Sequence, residues 1–248
     1  MLYIIQTALQ LGCVYSFVAL ALFLSYRILD IADLTTDGCF VLGMAVSVSC
    51  CAGGHPFAGV ILGMIAGGCA GCVTAVLQTQ LGVPSILAGI VTNTGLYTIN
   101  LMAMGWSSNI SLLKNETIFS LFKKTNIGGA WNAIILAGMI ALCAMVLMKW
   151  FLSTRLGLSI RATGDNRDMV SASSINPRFT ILVGLVVANM FTGLSGALAG
   201  QLQKSADINA GSGIVTIGLA TLIIGETLIQ GRKSIGRNIC ACLVGNIV

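Results

Sequence analysis

Long apolar runs separated by short polar turns constrain this chain more than any other feature. They recur along nearly all of the 248 residues, 56% of which are hydrophobic and only 8% of which are charged. A helix of about 20 apolar residues, rising about 1.5 Å per residue, crosses a hydrocarbon core of about 30 Å. A membrane barrel would show short alternating strands instead. We therefore predict an all-α polytopic membrane protein with a single domain over residues 1–248.

We predict about eight helices that cross all or part of the membrane. Their ranges are Leu2–Tyr26, Gly38–Ala52, Phe57–Gln80, Pro84–Met104, Gly129–Leu152, Phe179–Gln201, Gly213–Gln230 and a last one from near Ser234. The second run is too short for a comfortable span, so we expect a half-helix or a helix broken by the irregular stretch before it. The last run has no stop signal before Val248, and we expect the natural chain to continue.

The distribution of basic residues predicts how the chain is oriented. Cytosolic loops of membrane proteins carry an excess of Lys and Arg. If the amino end lies outside, the cytosolic side holds Arg27, Lys149, Arg155, Arg161, Arg167, Arg178, Arg232, Lys233 and Arg237. The outer side then holds only Lys114, Lys123, Lys124 and Lys204. We therefore expect the long polar loop 153–178 in the cytosol, and we attribute the net charge of +5 to topology rather than to nucleic-acid binding.

Polar side chains recur on one face of the fourth span. Asn93, Tyr97 and Asn100 stand at i, i+4 and i+7, which places them on the same side of a helix. Polar groups within a membrane are costly and therefore face other helices, cavities or a pathway. Two interpretations stay open: hydrogen bonds between helices, or a polar wall that lines a path for a small solute.

Two further polar positions are candidates for the same path. The second span begins at Thr36 or Asp37, where Asp37 can cap the short helix, or where a broken helix can border a cavity. Glu226 lies near the end of the seventh span, where it can pair with an arginine at the cytosolic interface or take part in gating.

Glycines repeat at helical spacing in two spans. Gly63, Gly67 and Gly71 form tandem GxxxG faces, and Gly196 and Gly200 form another. Small residues at this spacing let helix backbones approach closely in a membrane. We favour packing within the chain, with a pore-lining or dimer-forming face as the alternative.

No motif for covalent chemistry is present. The sequence lacks GxxxxGK[ST], HExxH and GxSxG, and the one CxxC, formed by Cys69 and Cys72, lies in an apolar helix without nearby histidine. We therefore expect no catalytic residue and no metal site. Three classes stay open: a transport pore driven by a partner, an ATP-independent carrier or channel, and a membrane scaffold.

The polar loop 153–178 predicts a compact element between two spans. Thr163 or Asp165 can cap a short helix over residues 166–174, and Pro177 can end it. Small residues dominate this loop, so it can fit into a cleft of a soluble partner.

Three segments carry a resemblance to a known family. GLSIRATGDNRDMVSASSINPR is similar to the G-x-x-x-R-A-x-G-x-N-x-x-A-A-x-x-x-G-I pattern of permease subunits in bacterial ABC importers of the branched-chain amino acid and ribose type. The matching residues are Gly157, Arg161, Ala162, Gly164, Asn166 and Ile175. Serines at 171 and at 173 or 174 depart from it. In these permeases the pattern is followed by a helix that is rich in small residues and ends G-x-L-A-G, and Leu198–Gly200 match that end. DLTTDG and LAGIVTNTGLYTINLMAMG resemble further segments of these permeases, in a branch linked to amino acids.

The resemblance implies a set of partners and roles. The chain would be one half of a homodimeric or pseudo-symmetric permease in the bacterial inner membrane, surrounded by lipid. Two cytosolic ATPase subunits would bind ATP and Mg²⁺, so that this chain holds no cofactor, and an outer solute-binding protein would deliver an amino acid, aromatic or branched-chain. The outer loop 105–128 would help to receive that protein. The residues implied in coupling to the ATPase are Arg161, Ala162, Gly164, Asp165, Asn166, Met169, Ala172 and Ser173.

Overall fold

The computed structural model describes residues 2–113, 115–124, 131–228 and 235–247. The order of elements is α1 (Leu2–Leu22) followed by a π-helical segment (Phe23–Ile28), α2 (Thr36–Ala52), α3 (Pro56–Thr79), α4 (Ser85–Ala103), β1 (Asn109–Ser111), α5 (Ile118–Lys124), α6 (Asn132–Ser153), α7 (Arg155–Asp165), α8 (Arg167–Ala172), α9 (Pro177–Gln203), β2 (Ser205–Asp207), α10 (Ile214–Leu228) and α11 (Ile235–Ile247).

The helices confirm the predicted all-α membrane architecture. Five of them, α1 with its π-helical segment, α3, α4, α6 and α9, are long and apolar enough to cross a membrane, and α2 and α10 are shorter apolar helices. Their limits agree with the predicted spans to within a few residues, because the change from apolar to polar sequence is sharp at most ends. The predicted limits at Gly129, Gln230 and Ser234 lie outside the described residues.

The centre of the bundle is α9, which packs against α2 and α3. A Cβ added at Gly63 would lie 2.9 Å from the carbonyl oxygen of Gly43, and one at Gly193 would lie 2.6 Å from the carbonyl oxygen of Gly63. Any larger side chain would therefore push the backbones apart. A Cβ at Gly200 would meet the side chain of Met44 instead, with 2.8 Å to its Cγ. The interpretation of the GxxxG faces as packing within the chain is confirmed.

The second span is a short helix that follows a broken, non-helical stretch, as the short run predicted. The π-helical segment ends at Ile28, and residues 29–35 form a non-helical stretch before α2 begins. Most of this stretch is buried; Leu29 and Thr35, for example, are at most 1% exposed. Backbone groups without helical partners are tolerated inside a membrane protein only where protein surrounds them. Here Asp33 supplies one partner, since its Oδ1 accepts a hydrogen bond from the Thr35 amide at 2.9 Å.

The two ends of the bundle carry different elements. At the strand end, β1 pairs antiparallel with β2, with Asn109 opposite Asp207. The coupling end is the opposite one, where α6 ends, α7 and α8 follow, and α9 begins. The predicted outer loop 105–128 lies at the strand end and contains β1 and α5; its residues 114 and 125–128 lie outside the described part.

Candidate functional site

A polar cavity of about 360 Å³ opens beside the start of α2. Three parts of the chain form its wall: the first turns of α2, the middle of α4, and the connection between β2 and α10. The lining residues are Asp37, Gly38, Val41, Asn93, Thr94, Tyr97, Asn100, Ile208, Asn209, Gly211 and Ser212. Four of the six residues predicted for a solute path therefore lie together.

The polar stripe of α4 makes a hydrogen bond between helices at one end and borders the cavity along its length. Asn100 is 2% exposed and donates from Nδ2 to the carbonyl oxygen of Gly38 at 3.2 Å, so it joins α4 to α2. Its Oδ1 is buried without a hydrogen-bond partner. Asn93 is half-buried, and Tyr97 is 53% exposed in the single chain. One end of the stripe thus holds helices together while the other faces open space.

Asp37 does not cap its own helix, which corrects the sequence-based expectation. No side chain caps α2. The Asp37 Oδ1 instead accepts a hydrogen bond from the amide of Val215 at 2.9 Å, in the first turn of α10. A carboxylate at a helix start satisfies a free N–H group and complements the helix dipole. The starts of α2 and α10 therefore meet at the cavity, joined by one acidic side chain.

Thr36 and Glu226 do not line this cavity. The Thr36 hydroxyl is buried and donates to the carbonyl oxygen of Asp33 at 3.2 Å, which stabilises the turn before α2. Glu226 lies near the end of α10, where its Oε1 accepts from Arg27 Nε at 3.1 Å. This is the arginine pairing considered for Glu226 from the sequence, and it places the side chain away from the cavity wall.

One buried carboxylate was missed as a candidate. Asp33 is 3% exposed, and its Oδ2 accepts from Asn189 Nδ2 of α9 at 2.7 Å. Thr35 next to it shares a hydrogen bond of 2.8 Å with Thr74 of α3. The non-helical stretch before α2 is thus tied to both neighbouring helices. An acidic residue inside an apolar region was the available signal, since such residues are rarely unpaired.

The polar loop at the coupling end folds into two helices, not one. Thr154 caps α7, and Asn166 caps α8 by accepting from the amides of Asp168 and Met169, both at 3.0 Å. The expectation of Thr163 or Asp165 as the cap was wrong because α7 continues through both residues, whereas the short helix expected over 166–174 is present as α8. Pro177 begins α9 instead of ending a helix, since a proline at a first helical position lacks only an N–H that would be free.

Most residues implied in coupling lie on the surface of α7 and α8. Ala162, Asp165, Asn166, Met169, Ala172 and Ser173 are exposed, and Arg161 is half-buried. Met169 is 70% exposed, which is unusual for an apolar side chain. Gly164 departs from this set, because a Cβ there would overlap the carbonyl group of Ile28 at the end of the π-helical segment. Its small size is required for packing inside the chain.

The described residues hold no group of three His, Cys, Asp or Glu side chains placed to bind a metal ion. Cys69 and Cys72 are free thiols.

Comparison with known proteins identifies the family. Residues 4–248 match the model described as branched-chain amino acid transport system, permease component. The tyrosine transport system permease protein of Clostridioides difficile is 32% identical, covering 95% of this chain and 77% of that protein. An uncharacterised protein of Rickettsia prowazekii is 33% identical, covering 98% and 85%. The D-allose transport system permease protein of Escherichia coli is 30% identical, covering 87% and 64%.

No solved structure matches the chain. The family match covers nearly the whole chain. The chain therefore belongs to the branched-chain amino acid transport permease family, the membrane-spanning, non-catalytic subunits of bacterial ABC importers of small solutes.

Proposed function

We propose that this permease carries an amino acid, aromatic ones included, along a path between two copies of the chain. The observation that carries the proposal is the cavity lined by Asp37, Asn93, Tyr97 and Asn100. Its volume of about 360 Å³ lies in the range of about 300–1,000 Å³ that is typical of sites for small molecules. Family membership favours this ATP-driven role over the ATP-independent carrier and the scaffold considered from the sequence.

The exposure of α4 supports the role of a second copy. Of the 18 consecutive residues that form the most apolar part of α4, only 28% are buried within the chain. Tyr97 projects from this surface, and Asn93 lies beside it. Polar and half-exposed groups at the middle of a span are stable in a membrane when they face protein or water rather than lipid. A second α4 facing the first would enclose the cavity as one narrow, wettable path.

The groups at the cavity suit a zwitterion with an apolar side chain. The Asp37 carboxylate can accept hydrogen bonds from an ammonium group, and the Asn93 amide in the same wall can donate to a carboxylate. Tyr97 and Val41 offer apolar surface in the same wall. The tyrosine permease of Clostridioides difficile, which is similar over almost the whole chain, supports an amino acid as the solute.

The coupling end supports contact with an ATPase. The exposed surface formed by Asp165, Asn166, Met169, Ala172 and Ser173 would dock into a cleft of that subunit. Motion there can reach the cavity along packed contacts, because Gly164 of α7 touches Ile28 just before the broken stretch, and Thr163 shares a hydrogen bond of 2.8 Å with Thr180 of α9. A solute-binding protein would dock at the strand end.

Uptake by the reconstituted complex tests this path. Permease, ATPase and binding protein are placed in proteoliposomes, and uptake is measured for a panel of labelled amino acids. Tyr97→Leu should lower the rate of uptake while the ATPase stays bound, since a polar group of the wall is lost. Thr98→Leu is the matched control, because Thr98 is an exposed neighbour on α4 that does not line the cavity. Parental uptake by Tyr97→Leu would contradict the path.

A further inference from the structure

A second polar cavity, of about 500 Å³, lies at the coupling end. It is formed by the end of α3, the start of α4, and the segment from α8 to the start of α9. The lining residues are Ile31, Gln78, Thr79, Gly82, Val83, Pro84, Ser85, Arg167, Ser171, Asn176, Pro177, Arg178 and Ile181. The residues implied in coupling do not line it, and it lies apart from the cavity proposed for the solute.

The charged groups that line this cavity are all cationic. Arg167 and Arg178 both line it, while no carboxylate does among the described residues. The described part of the chain pairs neither guanidinium group with an acid. Two positive charges around one cavity favour an anionic ligand.

A buried donor without a partner supports an anion independently of the arginines. The Nε2 of Gln78 is buried and makes no hydrogen bond. Leaving a buried donor unpaired is costly, so an unpaired donor beside a cavity points to an acceptor that is absent from the chain itself. The start of α4 adds to this, since no side chain caps it and Ser85 in its first turn faces the same space.

The surroundings favour a lipid over a free ion. Apolar groups of Ile31, Val83 and Ile181 line the same cavity. Leu81 and Ile86 are sequence neighbours of the lining residues Gly82 and Ser85. Leu81 is 69% exposed and Ile86 is 53% exposed, as expected for side chains in contact with acyl chains. The cavity is therefore cationic at the level of the headgroups and borders apolar surface.

We propose that this cavity binds the headgroup phosphate of an anionic membrane lipid. Arg167, Arg178 and Gln78 would donate to its oxygens, and the glycerol and acyl parts would lie along the apolar surface beside α4. Basic pockets between helices on the cytosolic side of a membrane protein are suited to such headgroups. The bound lipid would join α4, which carries the polar stripe, to α8 and α9, which carry the coupling element. This inference does not depend on which solute is transported.

Lipid retention by the purified permease–ATPase complex tests the proposal. The complex is reconstituted in vesicles of equal parts phosphatidylglycerol and phosphatidylcholine and re-extracted, and bound lipid is identified by native mass spectrometry. The parental complex should retain phosphatidylglycerol in preference to phosphatidylcholine. Arg178→Gln should lower this retention roughly fivefold, and the double change with Arg167→Gln roughly 30-fold. Arg155→Gln is the matched control, since Arg155 is exposed on α7 outside the cavity.

Two further measurements test the role of Gln78 and distinguish a lipid headgroup from free phosphate. Gln78→Leu removes the unpaired donor without changing charge and should also lower retention. Inorganic phosphate, titrated into the complex in phosphatidylcholine alone, should not bind measurably. Equal retention of phosphatidylglycerol by the parental and double-variant complexes would overturn the proposal. Binding of inorganic phosphate that depends on Arg178, or retention of lipid only when the ATPase is absent, would overturn the assignment to a lipid.

Discussion

At the scale of single residues, Asp33 is a carboxylate buried inside a membrane-spanning bundle and held by two hydrogen bonds. One comes from the Thr35 amide and the other from Asn189 Nδ2 at 2.7 Å. A buried charge is tolerated when neighbouring donors satisfy it. Because Asn189 lies on α9, this contact fixes the broken stretch before α2 to the central helix. The position of the cavity therefore depends on a residue that does not line it.

Asn189→Leu should destabilise the complex more than Asp33→Asn. The leucine leaves the carboxylate without its main donor, a loss of about 1.5–3 kcal/mol for a hydrogen bond to a charged group. An asparagine at position 33 removes the charge, so no ion is left buried, and its single oxygen can still accept from the Thr35 amide. Asn189 loses the carboxylate but keeps its bond to the carbonyl oxygen of Leu185. Thermal unfolding of the purified complex shows which of the two variants is less stable. Equal melting temperatures for Asn189→Leu and the parent would show that the contact is dispensable.

Asp37→Asn separates the charge of this residue from its capping role. Asparagine still accepts from the Val215 amide and caps a helix about as well as aspartate, so stability should change little. The loss of the charge should weaken contact with an ammonium group by about 1 kcal/mol, which is about a fivefold loss of uptake at low solute concentration. Uptake kinetics with the binding protein held saturated measure this effect. Unchanged uptake at unchanged stability would show that Asp37 only caps α10.

At the scale of elements, α7 and α8 differ in what their small residues do. Gly164 faces the π-helical segment, whereas Ala172 is exposed at the end of α8. Both belong to the set that the family resemblance implies for coupling. A substitution at Gly164 changes packing inside the chain, whereas one at Ala172 changes the outer surface. The element is thus joined to the bundle on one side and free on the other.

Gly164→Val and Ala172→Arg should therefore fail in different ways. Valine at 164 cannot be accommodated against the Ile28 carbonyl without moving α7, so the melting temperature should fall. Arginine at 172 should leave stability within about 0.5 kcal/mol of the parent and reduce the amount of ATPase that copurifies. Thermal unfolding and quantitative copurification separate the two outcomes. Normal ATPase recovery with Ala172→Arg would place the docking surface elsewhere.

The sequence predicted the helices better than the contacts between them. Span limits followed from hydropathy, and the stripe of Asn93, Tyr97 and Asn100 followed from the helical repeat, because both are local properties. The role of Asp37 could not be found this way, since Val215 is 178 positions away in the chain. The cap of α8 was misplaced because Thr163, Asp165 and Asn166 are all residues that cap helices, and local propensity does not choose among them.

At the scale of the whole molecule, α4 and α6 both expose apolar residues, but the two helices pack against different parts of the bundle. α4 packs on α2 and α3, whereas α6 packs on α1. The middle of α4 combines this exposure with the cavity lined by Asn93, Tyr97 and Asn100, so we expect two copies to meet along α4 and lipid to cover α6. The exposed residues Leu142 and Val146 mark the α6 surface.

Cysteine cross-linking in native membranes tests this arrangement. After the nine native cysteines are replaced, Tyr97→Cys should form a disulfide between two copies under mild oxidation, because two facing α4 helices bring these positions near each other. Leu142→Cys is the control, with similar exposure on α6, and should remain monomeric. We also expect cross-linking to respond to ATP, because the stretch 29–35 leads into α2, whose first turn lines the cavity. A disulfide at 142 without one at 97 would place the interface on α6 and leave the α4 stripe facing lipid.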